Sequence, residues 1–249
     1  MTGADRGIGR ATALALARAG ADIAVGFYAS RDQAEDVAAQ VQALGRDALL
    51  CQGDVRDADA MRQSVEAIVQ RWGRLDVVVA NAGIYPQGKI YDMPPDVWQA
   101  AIDTNLTGTY NTIRAALPVL RAQRSGVIIL LSSVVATLPN VGGGVYAATK
   151  AAISVLAKVV ASEEAPYGIR VNAVAPGMIA TDMNTAARER RGAELLRQIS
   201  LRRFGDPEEV AAVIAFLASD AASYVTGATW AVDGGKFATQ VPMDAWPEE

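Results

Sequence analysis

Thr2-Gly3-Ala4-Asp5-Arg6-Gly7-Ile8-Gly9 is a glycine-rich turn that runs into an alanine-rich helical stretch, Gly9 to Ala19, and then a short β-branched run, Asp22 to Phe27. Glycines let a backbone approach a pyrophosphate closely, and a helix N-terminus adds free N–H groups and a partial positive charge. The Gly-x3-Gly-x-Gly spacing differs from the common G-x-G-x-x-G dinucleotide fingerprint, and glycines also serve ordinary turns. The rhythm that follows decides the fold. Strand-like runs recur at Asp47–Cys51, Leu75–Ala80, Val127–Leu131, Ile169–Ala175 and Ala228–Val232. Between them lie helical patterns over 31–44, 58–72, 94–121 (two elements run together), 145–165 and 207–219. Near-continuous apolar strands alternating with helices predict an α/β fold: one doubly wound, Rossmann-like parallel sheet covered on both faces.

Neither a linker nor a repeat interrupts residues 1–249, which read as one domain. Residues 178–205, rich in Ala and Arg, break the rhythm beyond a strand end, where ligands bind in open α/β sheets. That segment reads as a substrate lid or as a solvated helical excursion. The tail from Lys236 is expected to fray or to pack on a neighbouring subunit.

Half of the chain is apolar and a fifth charged, with net charge −4. That balance suits a globular enzyme and argues against nucleic-acid or membrane-surface partners. No apolar run reads as a bilayer span and no signal sequence opens the chain, so a cytoplasmic location is expected. The single Cys51 excludes an intramolecular disulfide. There is no histidine, which excludes Ser-His-Asp and Cys-His catalysis and imidazole metal sites. No metal site is expected. Acid–base chemistry falls to carboxylates, Lys, Tyr or Cys.

Tyr146 and Lys150 stand one helical turn apart, and Ser133 ends an apolar run upstream. Positions i and i+4 share a helix face, so the ammonium can lie beside the phenol and favour phenolate, lowering a pKa normally about 10. Tyr146 is thus a candidate acid–base group. Asp54-Val55 follows the strand-like run 47–51: the acid can accept from an adenine amino group while Val55 packs on the ring, or serve as a helix cap. Asn81-Ala82-Gly83 ends a strand with small residues that admit a ligand or another backbone. Asn105 is a poor helix-interior residue unless its amide has a specific partner.

These motifs, in order from Thr2 to about Gly235, resemble the short-chain dehydrogenase/reductase family: TGxxxGIG at 2–9, Asp54-Val55, NAG at 81–83, Asn105, Ser133, Tyr146-x3-Lys150, and Pro176-Gly177 with Thr181. The resemblance implies a nicotinamide-dependent oxidoreductase acting on a ketone or secondary alcohol. Tyr146 would exchange the proton with the substrate oxygen and Ser133 would hold that oxygen. Lys150 would lower the phenol's pKa and bind the nicotinamide ribose, and Asn105 would support a proton-relaying water. Gly3, Gly7, Ile8 and Gly9 would cradle the pyrophosphate, Asp54 and Val55 face the adenine, and Asn81–Gly83, Pro176, Gly177, Ile179 and Thr181 complete the cofactor cleft. Arg6 and Arg31, with no acid at the end of the 22–27 run, suit a 2′-phosphate and favour NADP over NAD.

The family carries a strand before its first glycine motif, central in the sheet, where this chain has Met1 alone. The expectation is a missing or truncated first strand that leaves its two neighbours without a common partner. The pocket is expected to include Gln87, Ser133, Val135 and Met178. The substrate is a small carbonyl or alcohol, 3-oxoacyl-like by resemblance. A sugar dehydrogenase of the same family, or a non-catalytic NADP-binding relative, stays open. A homotetramer or dimer is implied, with Val155, Leu156 and Val159 facing either a partner or the core.

Overall fold

The computed structural model describes residues 1–236, so the tail beyond Lys236 lies outside the described residues. The elements follow the sequence reading closely: α1 Gly7–Arg18, β1 Ile23–Phe27, α2 Arg31–Ala43, β2 Ala48–Gln52, α3 Ala58–Trp72 and β3 Val77–Ala80. Then come α4 Pro95–Ala101, α5 Gly108–Gln123, β4 Gly126–Leu131, α6 Gly144–Glu164, β5 Ile169–Pro176, α7 Thr185–Arg197, α8 Pro207–Ala218 and β6 Thr229–Val232. The pattern read as two run-together helices over 94–121 is α4 and α5 joined by a π-helical turn, Ile102–Thr107. Segment 178–205 holds a 3₁₀ turn at Asp182–Asn184 and α7, kinked at Arg191.

All strand pairs are parallel, but they form two sheets, β1-β2 and β3-β4-β5-β6. The division falls where the sequence implies a missing first strand: among the described residues no full strand lies between β1 and β3. Met1, Thr2 and Ala4 span the division, Ala4 N–H donating to Gly26 O at 2.8 Å. The Met1 ammonium donates to the Ala24 carbonyl at 3.1 Å, Gly26 N–H donates to Met1 O at 2.9 Å, and Thr2 N–H donates to Val79 O at 3.0 Å.

β4 shows how the layers close. Its residues are all buried, and successive side chains point to opposite faces. Val127, Ile129 and Leu131 join α1, α2 and α8 through Leu14, Val37 and Ile214, whereas Ile128 and Leu130 join α5 and α6 through Ile113, Leu120, Ile153 and Val160. Each such aliphatic side chain contributes about 1.5–3 kcal/mol by leaving water. α6 with its 3₁₀ extension, Gly144–Tyr167, is long and apolar enough to cross a bilayer by length and composition, against the sequence expectation. Its packing on β5 and its buried Ile153, Ala157, Val160 and Ala161 account for part of that composition as core.

Candidate active site

A cavity of about 760 Å³ opens at the carboxyl ends of β1, β2 and β3. Gly3, Arg6, Gly7, Ile8, Gly9, Asp54, Val55, Asn81, Ala82, Gly83 and Thr181, all expected in a cofactor cleft, line it. The glycine turn is built for close approach. A Cβ on Gly9 would lie 1.8 Å from the Gly3 carbonyl, and Gly3 itself has φ +59°. The N-terminal N–H groups of α1 receive no side-chain cap from Arg6, so they are available to an anion. Thr2 and Asn81 fasten the turn to β3: Asn81 N–H and Ala82 N–H donate to Thr2 Oγ1, and Asn81 Nδ2 donates to the carbonyls of Thr2 and Gly3.

The proton-transfer candidates sit beside this cavity, at the ends of β4 and on α6. Ser133 begins the 3₁₀ turn Val134–Ala136; its hydroxyl accepts from Val135 N–H at 3.4 Å and lies near enough to the Tyr146 phenol to act on it. Lys150 is 4% exposed; its Nζ donates to Leu131 O at 2.6 Å and lies 5.5 Å from the Tyr146 ring centroid. Gly83 brings the cavity wall to it: a Cβ there would stand 3.1 Å from Asn105 Oδ1 and 3.6 Å from Lys150 Nζ. Asn105, fully buried in the π-helical turn, accepts from Ile84 N–H at 2.8 Å and donates to Ile84 O at 3.0 Å and Thr149 Oγ1 at 3.2 Å. That is the specific partner its helix-interior position required.

One electrostatic expectation is corrected. Burial, the largest influence, pushes the Tyr146 phenol up to about 12, the Ser133 hydrogen bond acts downward, and Tyr85 acts upward. Burial also pushes Lys150 down to about 8. The Lys150 ammonium lies toward the ring and donates to the Leu131 carbonyl, and burial outweighs any lowering of the phenol. The phenol is therefore protonated at neutral pH and able to donate.

Other expected residues fall less neatly. Arg31 does not line the cavity; it donates to Gln52 and Glu35 and lies over the Phe27 ring at 5.6 Å. Nor do Pro176, Gly177, Ile179 and Met178 line it. Ile179 is buried in the core, and Met178–Ala180 pairs with Gly205 through Gly205 N–H to Met178 O and Ala180 N–H to Gly205 O. Gln87 is exposed and Val135 half-buried, both outside the cavity lining. Arg56 was not foreseen, although it stands two residues after Asp54. It chelates that carboxylate at 2.5–3.0 Å, holding it below the usual carboxylate range, and lines the cavity. Tyr85, also unforeseen, packs its ring 4.5 Å from that of Tyr146; its place two residues after Gly83 was the available signal.

Residues 3–236 match the family described as enoyl-(acyl carrier protein) reductase. The 3-oxoacyl-[acyl-carrier-protein] reductase FabG of Staphylococcus aureus (strain Mu50) is 45% identical over 237 residues, covering 95% of this chain and 96% of that one. The chain belongs to the short-chain dehydrogenase/reductase family. The 3-oxoacyl-[acyl-carrier-protein] reductase of Synechocystis sp. is likewise 45% identical, over 94% of both chains. A short-chain type dehydrogenase/reductase from Mycobacterium marinum superposes with a TM-score of 0.91 at 35% identity, covering 96% of this chain and 94% of that chain. As a member of this family the protein is an oxidoreductase acting between CH–OH and C=O. The nicotinamide nucleotide that the family binds fits the cleft: the Gly3–Gly9 contact leaves no room for a side chain, and uncapped N–H groups of α1 line the same space.

Proposed function

We propose that this chain reduces a 3-oxoacyl thioester to the 3-hydroxyacyl thioester with NADPH. The observation that carries the reading is the grouping of Tyr146 with Ser133, which acts on its phenol, and with buried Lys150, whose Nζ lies 5.5 Å from the ring centroid, while Gly83 on the cavity wall stands against Lys150 and Asn105. The bound nicotinamide would supply the hydride. The Ser133 and Tyr146 hydroxyls would converge on the ketone oxygen and stabilise the charge that develops there. Tyr146, kept protonated by burial, would donate its proton to that oxygen. Lys150 spends one hydrogen bond on Leu131 O, which leaves donors for the ribose hydroxyls and for returning a proton to the phenol. Asn105 would hold the Gly83–Ile84 wall in place and support the proton-relaying water.

NADP is favoured over NAD by Arg6, whose side chain is 62% exposed with Asp5 no nearer than 3.7 Å, and by the absence of a carboxylate from Phe27 to Arg31. Arg56 adds a second guanidinium on the cavity wall. Asp54 and Val55 are assigned to the adenine side and Asn81, Ala82, Gly83 and Thr181 to the nicotinamide side. Residues 178–205 act as the lid over one catalytic domain. We place the protein in the cytoplasm as a homo-oligomer, with exposed Tyr110, Val155 and Val159 supplying an outward apolar face of α5 and α6 while Leu156 packs into the core.

The test is NADPH-dependent reduction of an acetoacetyl thioester, followed by nucleotide absorbance, in wild type and Tyr146→Phe. Turnover that Tyr146→Phe abolishes while NADPH binding persists supports the reading. Turnover confined to aldoses supports the sugar-dehydrogenase alternative, and nucleotide binding with no turnover of either class supports the non-catalytic one.

A further inference from the structure

We propose that Tyr85 and Asn140 form a second oxygen-recognition site, which binds the thioester carbonyl two carbons from the ketone that Tyr146 protonates. The inference rests on the 3-oxoacyl reading above and adds the residues that select a 1,3-dicarbonyl over a simple ketone. Tyr85 is half-buried on the cavity wall, and its ring stands 4.5 Å from the Tyr146 ring at an interplanar angle of 52°. Packing of the two rings places a second phenol next to the one that faces the ketone, as a substrate with two neighbouring oxygens would require.

The hydrogen-bond polarity at Tyr85 makes it a donor toward the site. Asn140 Nδ2 donates to the Tyr85 phenol oxygen at 3.1 Å and to Val141 O at 3.4 Å, so two acceptors orient the amide with its nitrogen toward Tyr85. A tyrosine hydroxyl has one proton and acceptor lone pairs. With an acceptor position taken by Asn140, the Tyr85 proton is directed to another partner, and a substrate carbonyl in the cavity that Tyr85 lines is an acceptor of the right kind.

The position is also held from outside. Gly88 N–H donates to Gly142 O at 2.9 Å, joining the loop that carries Tyr85 to the loop that carries Asn140. Ile90 packs against Gly144 at the start of α6, where a Cβ would meet its Cδ1 at 2.7 Å. Exposed Ile90, Leu138 and Val141 lie on these same two loops, an apolar rim that fits the alkyl part of such a substrate.

The experiment compares wild type and Tyr85→Phe, which keeps the ring packing and removes only the hydroxyl. Binding of 2,4-pentanedione (two oxygens) and 2-pentanone (one) to the protein–NADPH complex is followed by ligand-observed NMR. The dione is expected to bind wild type more tightly than the monoketone and to lose roughly tenfold in Tyr85→Phe, about 1.4 kcal/mol. The monoketone and NADPH should stay within about twofold. Asn140→Ala should give a smaller loss confined to the dione. Equal affinities for dione and monoketone in wild type, no binding of either, or equal losses in Tyr85→Phe would overturn the proposal. Because this readout needs no turnover, failure of the thioester assay and failure of the second oxygen site are separate results.

Discussion

The Asn105 side-chain amide pairs with both backbone groups of Ile84, accepting from its N–H at 2.8 Å and donating to its carbonyl at 3.0 Å. One side chain thereby ties the π-helical turn to the loop that carries Gly83 and Tyr85 past the Tyr146 phenol. A π-turn in a helix often marks a functional position, and here it presents a fully buried amide to a loop. Asn105→Ala should cost about 1–3 kcal/mol through the polar groups it leaves unpaired. It should lower kcat far more than it weakens NADPH binding, whose glycine cradle lies elsewhere. Asn105→Asp keeps the acceptor and loses the donor, so an intermediate effect is expected. Thermal denaturation and steady-state kinetics check both.

Lys150 gives stability a pH dependence whose sign can be worked out. Burial pushes its folded-state value down to about 8 from 10.5. Between those values the unfolded chain holds a proton that the folded chain has released, so stability rises with pH from about 8 to 10.5. Tyr146 acts oppositely at higher pH: raised to about 12 from 10.0, it costs stability as pH climbs through that range. Lys150→Met should flatten the rise between pH 8 and 10 in denaturant titrations of the nucleotide-free protein. A rise that persists unchanged in the variant would show that another group carries it.

Arg6 and Arg31 looked equivalent in sequence and are not equivalent in the fold. Arg6 lines the cavity, whereas Arg31 is engaged with Gln52, Glu35 and the Phe27 ring. Arg6→Ala should weaken NADPH roughly tenfold or more and leave NADH nearly unchanged, the pattern expected when a charge-assisted phosphate contact is lost. Arg31→Ala should change the NADPH-to-NADH ratio by less than about threefold. Fluorescence titration with each nucleotide decides.

The division between β1 and β3 makes its own prediction. Ile23 N–H donates to Asp47 O and Phe27 O accepts from Gly53, so the backbone groups of β1 that face away from β2 are those of Ala24 and Gly26. By the same alternation, Val127 N–H on Asp76 O leaves Val77 and Val79 facing the division. Met1, Thr2 and Ala4 satisfy only part of this, and Val65, Ile68 and Leu75 line the cavity that adjoins it. Burial also depresses the Met1 ammonium, a charge in a poor place. A five-residue valine- and isoleucine-rich extension before Met1 should raise Tm by several degrees and tighten NADPH binding. A polar extension of equal length should do neither.

The sequence by itself determined the elements and pointed to the candidate reacting groups. Apolar period and glycine punctuation placed β1 to β6 and the principal helices within a few residues, because a buried parallel strand must be continuously apolar. Ser133, Tyr146, Lys150 and Asn105 were readable because their chemistry needs those residue types at fixed spacing. Only the tertiary structure decided what depends on which chains of contact close in space. It turned Arg31 away and put Arg56 on Asp54. It set Tyr85 against Tyr146 across 61 residues of chain and Asn140 behind it. It also reversed the expected shift of the phenol, since burial is a sum over every neighbouring element and no local spacing encodes it.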